Sequence, residues 1–279
     1  MNSLSPRGSV IIPAHNESAV IVRTVSSLMK DAEPGELQVV VVCNACSDGT
    51  AEEVRSLPYP DVGVLELDSA SKSRAMNAGD CVSTAFPRLY LDADVTLSTD
   101  GARRMLGALS GADCAVATPN YQLAGCSQIA VAYWREWIRR NPSPKAGTGC
   151  FGLSQTARES IGEFPDLVGD DRFIAATFAP VRVEGARTEV RVARTLPSIL
   201  RRRVRIERGN QAVRGFLGQV TGPAGPGNHP PSGGHQVPNP VGMGTLIVIH
   251  TVAIAWARVR PAGAWMTDLS SRRPTATAL

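Results

Sequence analysis

The chain has 279 residues, of which 43% are hydrophobic and 19% charged, and it carries a net charge of +4. That length and composition suit one large domain or two small ones with a substantial core, and they exclude general disorder. No fixed-period repeat or heptad run is present, which excludes solenoids and coiled coils, and so mild a charge gives no reason to expect a nucleic-acid partner.

Apolar runs and helical patterns alternate through the first 120 residues. Ser9–Pro13 reads as a short buried strand, and Glu17–Lys30 has helical spacing in Val20, Val22, Val25, Leu28 and Met29. Gln38–Cys43 is apolar on both faces, as a central parallel strand requires. Thr50 followed by Glu53 has the spacing of a capping box that opens a short helix. A third strand over Val62–Leu67, a helix over Ala70–Val82, a fourth strand over Arg88–Leu91, a helix over Thr99–Leu109 and a fifth strand over Cys114–Thr118 complete the series. Such alternation predicts an α/β fold with a parallel sheet and helices on both faces.

Beyond residue 120 the pattern changes. Ile129–Arg140 is an amphipathic helix bearing Trp134 and Trp137, whose spacing favours core packing over stacking on a sugar. Residues 182–214 hold ten Arg and three Glu, a local charge of +7, so the rest of the chain carries about −3. Residues 218–244 contain eight Gly and six Pro and no charged side chain, which reads as a flexible linker. The apolar run Leu246–Ala257 falls short of the roughly 20 residues a spanning helix needs.

The six cysteines are scattered, and only Cys43 and Cys46 form a CxxC; without a second pair this is no zinc site. Reduced thiols, with no secretion-signal pattern at the N-terminus, predict a cytoplasmic protein, with peripheral contact at the inner face of a membrane through 201–208 and 246–257 as a further expectation.

Ligands of an open parallel sheet bind beyond the carboxyl ends of its strands. Pro13, Ala14, His15, Asn16 and Glu17 follow the first strand, Asn44 to Thr50 the second, and Asp92-Ala93-Asp94 the fourth. Neither GxGxxG nor GxxxxGK[ST] is present, so phosphates need another holder. Asp92 and Asp94 supply hard oxygen ligands of the kind that suit Mn²⁺ or Mg²⁺, which in turn grips a diphosphate.

The ordered set VIIPAHNE, CNACSDGT, SKSRAMNAG and LYLDAD resembles the nucleotide-sugar half of family 2 glycosyltransferases, and GTGCFGLS and FPDLVGDD resemble the acceptor half. The resemblance implies a GT-A fold over residues 8–217, with the nucleotide-sugar half at about 8–120 and a mixed acceptor-side subdomain at about 121–217, followed by the linker and an apolar C-terminal helix and tail at 245–279. It implies inverting transfer from a nucleoside diphosphate sugar, UDP-linked by preference, to a hydroxyl of a glycan, a lipid-linked sugar or a small molecule. Pro13, Ala14, His15, Glu17 and Asp48 match the positions that bind base and ribose, with Asn44 beside them. Lys72 and Asn77 match a segment over the nucleotide and diphosphate, and Asp92 and Asp94 match the metal motif. Asp170 and Asp171 match the carboxylate pair whose second member is the base, while Arg205 in the basic block, where the chain departs from the family's pattern, is a candidate phosphate ligand on the geometry of its guanidinium fork.

Each of these positions also has a plainer reading: turn chemistry for His15 and Asn16, a helix cap for Asp48 and for Asp170-Asp171, and a solvated face for Lys72, Arg74 and the arginine block. LRRRVRIERGN has no Trp where processive relatives carry one. The competing functions are a nucleotidyltransferase, and a non-catalytic nucleotide-sugar binder or membrane-surface adaptor.

Overall fold

The computed structural model describes residues 6–141, 149–221 and 240–259. The chain divides into two compact units. The first comprises Met1–Gln122, Lys145–Asp166 and Asp170–Arg191, and the second comprises Leu123–Pro144, Leu167–Gly169 and Val192–Leu279.

In the first unit β1 (Ser9–Ala14), β2 (Gln38–Asn44), β3 (Val62–Leu67) and β4 (Arg88–Leu91) run parallel in the order β3-β2-β1-β4. Every residue of β1 is buried, as its two-faced apolar run requires of a central strand. The helices α1 (Ile21–Met29), α2 (Thr50–Arg55), α3 (Lys72–Val82) and α4 (Thr99–Ala108) connect or follow these strands. The chain first builds outward from β1 to β3, then returns through α3 to place β4 on the other flank of β1. That reversal opens a crevice at the carboxyl ends of β1 and β4, where ligands of such sheets bind.

Past β4 the sheet is mixed, and the expected fifth strand keeps the direction of β4 without pairing with it. β6 (Cys114–Gln122) does not adjoin β4; β7 (Cys150–Leu153) lies between them, antiparallel to both. β8 (Val181–Arg191) runs parallel to β6 and antiparallel to the short β5 (Val95–Leu97), completing eight strands. Two short helices, α6 (Gln155–Ser160) and α7 (Asp170–Thr177), lie between β7 and β8.

The arginine block is therefore not one element. Its first part is β8, where Val183, Ala186, Thr188 and Val190 are buried among exposed neighbours. The remainder lies in α8 (Leu196–Thr221), so residues 218–221 of the expected linker are helical, as are 240–244, which open α9 (Pro240–Val259). The rest of that linker, 222–239, and the tail from 260 lie outside the described residues. The capping box at Thr50 and Glu53 does not form. Gly49 occupies the cap position, and the Thr50 hydroxyl instead donates to Asp48.

Asp80 on α3 anchors a buried ion network in the first unit. Arg88 Nη1 donates to its Oδ1 at 2.7 Å, Arg158 Nε to its Oδ2 at 2.7 Å, and the Tyr90 hydroxyl to Oδ1 at 2.8 Å. Burial, followed by the Asp80 charge, pushes the Tyr90 hydroxyl well above its ordinary range.

In the second unit α5 (Gln128–Arg140) packs with α8 and α9. Trp134 is buried and its Nε1 donates to the Ala193 carbonyl at 2.9 Å, while Trp137 meets it edge-on at 5.7 Å between centroids. The tryptophans are thus packing residues. Arg203, from the arginine block, donates to the Tyr133 hydroxyl at 2.7 Å and lies over the Trp137 ring. α9 exposes Ile247 and Val248, at 54% and 61%. Among the described residues, no helix is long and apolar enough to cross a membrane.

Candidate functional site

The loops after β1 and β2 are knitted together at the sheet edge. The His15 Nδ1–H donates to the Asn44 carbonyl at 2.6 Å, and Asn44 Nδ2 donates back to the Ala14 carbonyl at 2.7 Å. Asn16 takes a left-handed φ of 54°, and its side-chain oxygen accepts from the Ser47 amide at 2.8 Å. α1 begins only at Ile21, because Glu17–Val20 form a turn in which Glu17 is buried and its amide donates to Thr50 Oγ1 at 2.8 Å. Asp48 closes the loop, accepting from the amides of Ser18 and Thr50, both at 3.1 Å. Burial works to raise its carboxyl, but hydrogen bonds from Thr50 and Ser18 outweigh burial and hold it below the usual range. Asp48 thus ties the two loops together, while Pro13, Ala14, His15, Glu17 and Asn44 are gathered at one edge beside it.

The Asp92–Asp94 turn follows β4 at the same edge of the sheet. The Thr24 hydroxyl donates to the Ala93 carbonyl at 2.7 Å, and Arg23 Nη2 to the Asp94 carbonyl at 3.0 Å, so α1 holds the turn. From the other side the Asp92 amide donates to the Gly149 carbonyl at 2.8 Å. Gly149 has φ +69°, and a Cβ there would stand 2.5 Å from Val95 Cγ2 and 3.3 Å from Asp92 Oδ2. Only glycine fits that left-handed, close approach.

The start of α3 joins this turn to the start of α7. Lys72 Nζ lies 2.6 Å from Asp92 Oδ1 and 2.9 Å from Asp170 Oδ2. Burial alone would lower the ammonium; the charges of Asp170 and Asp92 outweigh burial and keep it firmly protonated. Asp171, half-buried at the start of α7, is pushed up to about 6, first by loss of water and then by the neighbouring Asp170 charge. Its Oδ1 also accepts from the amide of the next residue, Arg172, at 2.7 Å.

Two further links lock the same junction. Ser71 and Ser73 donate to Asp166 Oδ1 at 2.8 and 2.9 Å, holding that carboxyl below its usual range. Asn77 Nδ2 donates to the Phe164 carbonyl at 3.1 Å, and its Oδ1 accepts from the Phe164 amide at 2.8 Å. Both ends of the Asn77 amide are thus committed to the backbone before α7. Arg205 stands on α8, in the second unit.

Arg23, Thr24, Gly149, Asp166 and the two serines went unread in the sequence as site residues. Asp166 and Gly149 sit inside the quoted FPDLVGDD and GTGCFGLS stretches; Arg23 and Thr24 carry no local signal, since they act through backbone carbonyls about 70 residues away.

Among the described residues no three His, Cys, Asp or Glu side chains form a group that could hold a metal by themselves. Asp92 and Asp94 are both part-exposed carboxylates on one tight turn. Such a set fits Mg²⁺ or Mn²⁺ held by one or two carboxylates, with water and phosphate completing the shell.

Solved structures share this fold. The mannosyltransferase PcManGT from Pyrobaculum calidifontis, in complex with GDP-Man and Mn²⁺, is 20% identical with a TM-score of 0.61, over 94% of this chain and 77% of that one. TarS from S. aureus in complex with UDP-GlcNAc is 15% identical with a TM-score of 0.51, over 76% of this chain and 71% of that one. No curated protein sequence matches this one. The model of glycosyl transferase family 2 matches residues 9–148, from the first strand to the edge of the Gly149 approach. With its GT-A architecture, this chain belongs to glycosyl transferase family 2.

Proposed function

We propose that the protein transfers a sugar from a nucleoside diphosphate sugar to an acceptor hydroxyl, with inversion at the anomeric carbon and with a divalent metal. The observation that carries this reading is the Lys72 bridge from Asp92 to Asp170, which unites the donor-side and acceptor-side carboxylates in one cluster.

The loops around Ala14, His15, Glu17, Asn44 and Asp48 take the base and ribose. Asp94, with Asp92, holds Mn²⁺ or Mg²⁺, which when bound neutralises charge on the diphosphate leaving group. Lys72 adds a fixed positive charge beside it. Asn77 positions the segment before α7 through Phe164. Asp171 accepts the proton of the acceptor hydroxyl as the new C–O bond forms and the bond to the diphosphate breaks. A base opposite the leaving group gives inversion. A proton affinity near neutrality suits that task better than an ordinary carboxylate's. Asp170 orients its neighbour.

UDP is the first base to test and GDP its competitor; in our reading Arg205 contacts phosphate. A peripheral contact with an anionic bilayer is proposed for the second unit, through the apolar residues of α9 and the arginines of 201–208. Six free cysteines support a cytoplasmic setting. A nucleotidyltransferase reading gains nothing from residues 15–20, which contain no glycine to cradle phosphate.

The test is a melting-temperature panel of UDP, GDP and dTDP, each with and without Mn²⁺. One nucleotide raises the melting temperature in a Mn²⁺-dependent way, and Asp94→Ala abolishes the metal-dependent part. Equal metal dependence in Asp94→Ala removes the metal assignment.

A further inference from the structure

One pair of side chains at the nucleotide edge has no part in the chemistry above. Cys43, next to last in β2, is buried, and Cys46, three residues on, is half-buried in the loop. Ala45 between them takes a left-handed φ of 49°, rare for a residue with a Cβ, and Cys46 packs against the core cluster that contains Cys43. The facing loop supplies the remaining partners. The Asn16 amide, itself on a residue at φ 54°, donates to Cys46 Sγ at 3.4 Å, and in its thiol form Cys46 points at the Ala14 carbonyl, 3.5 Å away. Left-handed backbone on both sides of one sulfur, at two non-glycine positions, is the kind of strain that collects at functional sites.

The electrostatics divide the pair into unlike members. The neighbouring Cys43 thiol above all, aided by the Asn16 amide and opposed by burial, holds the Cys46 thiol below its ordinary range. The Cys46 neighbour and burial push the Cys43 thiol far up. Cys46 is the more exposed and more acidic member, with an amide aimed at its sulfur, and Cys43 is the sheltered one three residues away. That is the division between an attacking and a resolving thiol.

We propose that Cys43 and Cys46 form a thiol–disulfide exchange site whose reactant is a low-molecular-weight disulfide, and that its oxidation loosens the nucleotide-binding edge. The Cys46 thiolate attacks one sulfur of the reactant, forming a mixed disulfide and expelling a thiolate that takes a proton from water. Cys43 then loses its proton and attacks the Cys46 sulfur, forming the Cys43–Cys46 bond and releasing the second thiol. Two protein thiols are oxidised and one reactant disulfide is reduced to two thiols. Once in that bond, Cys46 no longer serves as the thiolate acceptor of the Asn16 amide or as a donor to Ala14. The His15–Asn44 and Asn16–Ser47 links lie in the same two loops and are disturbed with it. The exchange chemistry stands by itself; its effect on the edge rests on the nucleotide reading given above.

The experiment equilibrates the full chain in mixtures of reduced and oxidised glutathione, blocks free thiols with an alkylating agent and maps the peptides. The wild type forms the Cys43–Cys46 disulfide, Cys43→Ser stops at a mixed disulfide on Cys46, and Cys46→Ser forms neither. Should either variant fail to fold, the wild type alone decides: at pH 6.5 Cys46 is alkylated faster than the exposed Cys81. Faster reaction of Cys81, or no Cys43–Cys46 disulfide at any mixture, overturns the proposal. Binding of UDP and GDP is then measured before and after oxidation. A loss of roughly tenfold or more in affinity, reversed by dithiothreitol, supports the coupling. Unchanged affinity in the disulfide form overturns it. A reduced protein that binds neither nucleotide condemns the nucleotide reading and leaves the exchange site standing on its peptide map.

Discussion

Strand β4 carries two clusters of ionised side chains built on opposite plans. In one, a single carboxylate, Asp80, is met by two guanidiniums and a phenol, all buried. In the other, a single ammonium, Lys72, is shared by Asp92 and Asp170, with Asp171 beside them. The Asp80 cluster sets two cations against one anion and has both carboxylate oxygens taken, so it fixes α3 against β4 and α6 and offers nothing to a metal ion. The Lys72 cluster has more negative charge than its cation can match. It is ready for a further cation and for a proton, the two things that the proposed reaction asks of it.

The sharpest way to break this contrast is Asp171→Asn. Turnover falls by roughly 10²–10⁴-fold, the range for losing a general base, mainly in kcat. Asp170→Asn loses less. Stability moves the other way. The Asp171 carboxyl is raised from its ordinary 3.8 to about 6, so the folded state holds that proton more tightly than the unfolded state. The stabilisation this brings is complete below 3.8 and is lost as pH rises through 6. At pH 7.5 the asparagine variant therefore melts no lower than wild type, as calorimetry can check. A large drop in its melting temperature would make Asp171 a structural residue like Asp80.

Asp80→Ala gives the converse result. It leaves Arg88 and Arg158 buried without their counter-charge, and stability falls by about 3–5 kcal/mol in urea unfolding. A loss under about 1 kcal/mol would show that the network is not the anchor described here. A smaller effect follows from Gly149→Ala, which forces a left-handed alanine against Val95 and Asp92. It loses about 1–3 kcal/mol and weakens the Mn²⁺ dependence of nucleotide binding, both measurable by thermal shift. The mildest test is the pH profile. kcat/KM declines about tenfold per unit below pH 6, and the residual activity of Asp171→Asn loses that limb.

Sequence patterning read the donor side well for a definite reason. β1 and β2 are buried on both faces, so their apolar runs are unbroken, and the polar residues that follow mark the strand ends. It read β8 poorly because charge obscured a period of two. Val183, Ala186, Thr188 and Val190 face inward while Arg182, Arg187 and Arg191 alternate with them, interrupted by a register shift near Val116 and Thr118 of β6. Asp92, Asp94, Asp170 and Asp171 were legible because carboxylates at strand and helix ends are conspicuous. The cation that Asp92 and Asp170 share was not. Nothing local in SKSRAMNAG says that Lys72 reaches a carboxylate 98 residues further on, because that contact exists only once α3 has crossed back over the sheet.

The insertion of β7 between β4 and β6 bears on how the molecule is made. β4 is complete at Leu91, but its outer edge stays open until residues 150–153 are available to cover it. During synthesis the donor half therefore waits, with an exposed apolar strand edge, for some 60 residues of chain still to come. A fragment cut at residue 148, where the family match ends, keeps every donor-side motif yet lacks the strand that seals the sheet. The stretch that the sequence marks as a nucleotide-sugar half thus leaves one edge of its central sheet to be covered by chain that comes after it.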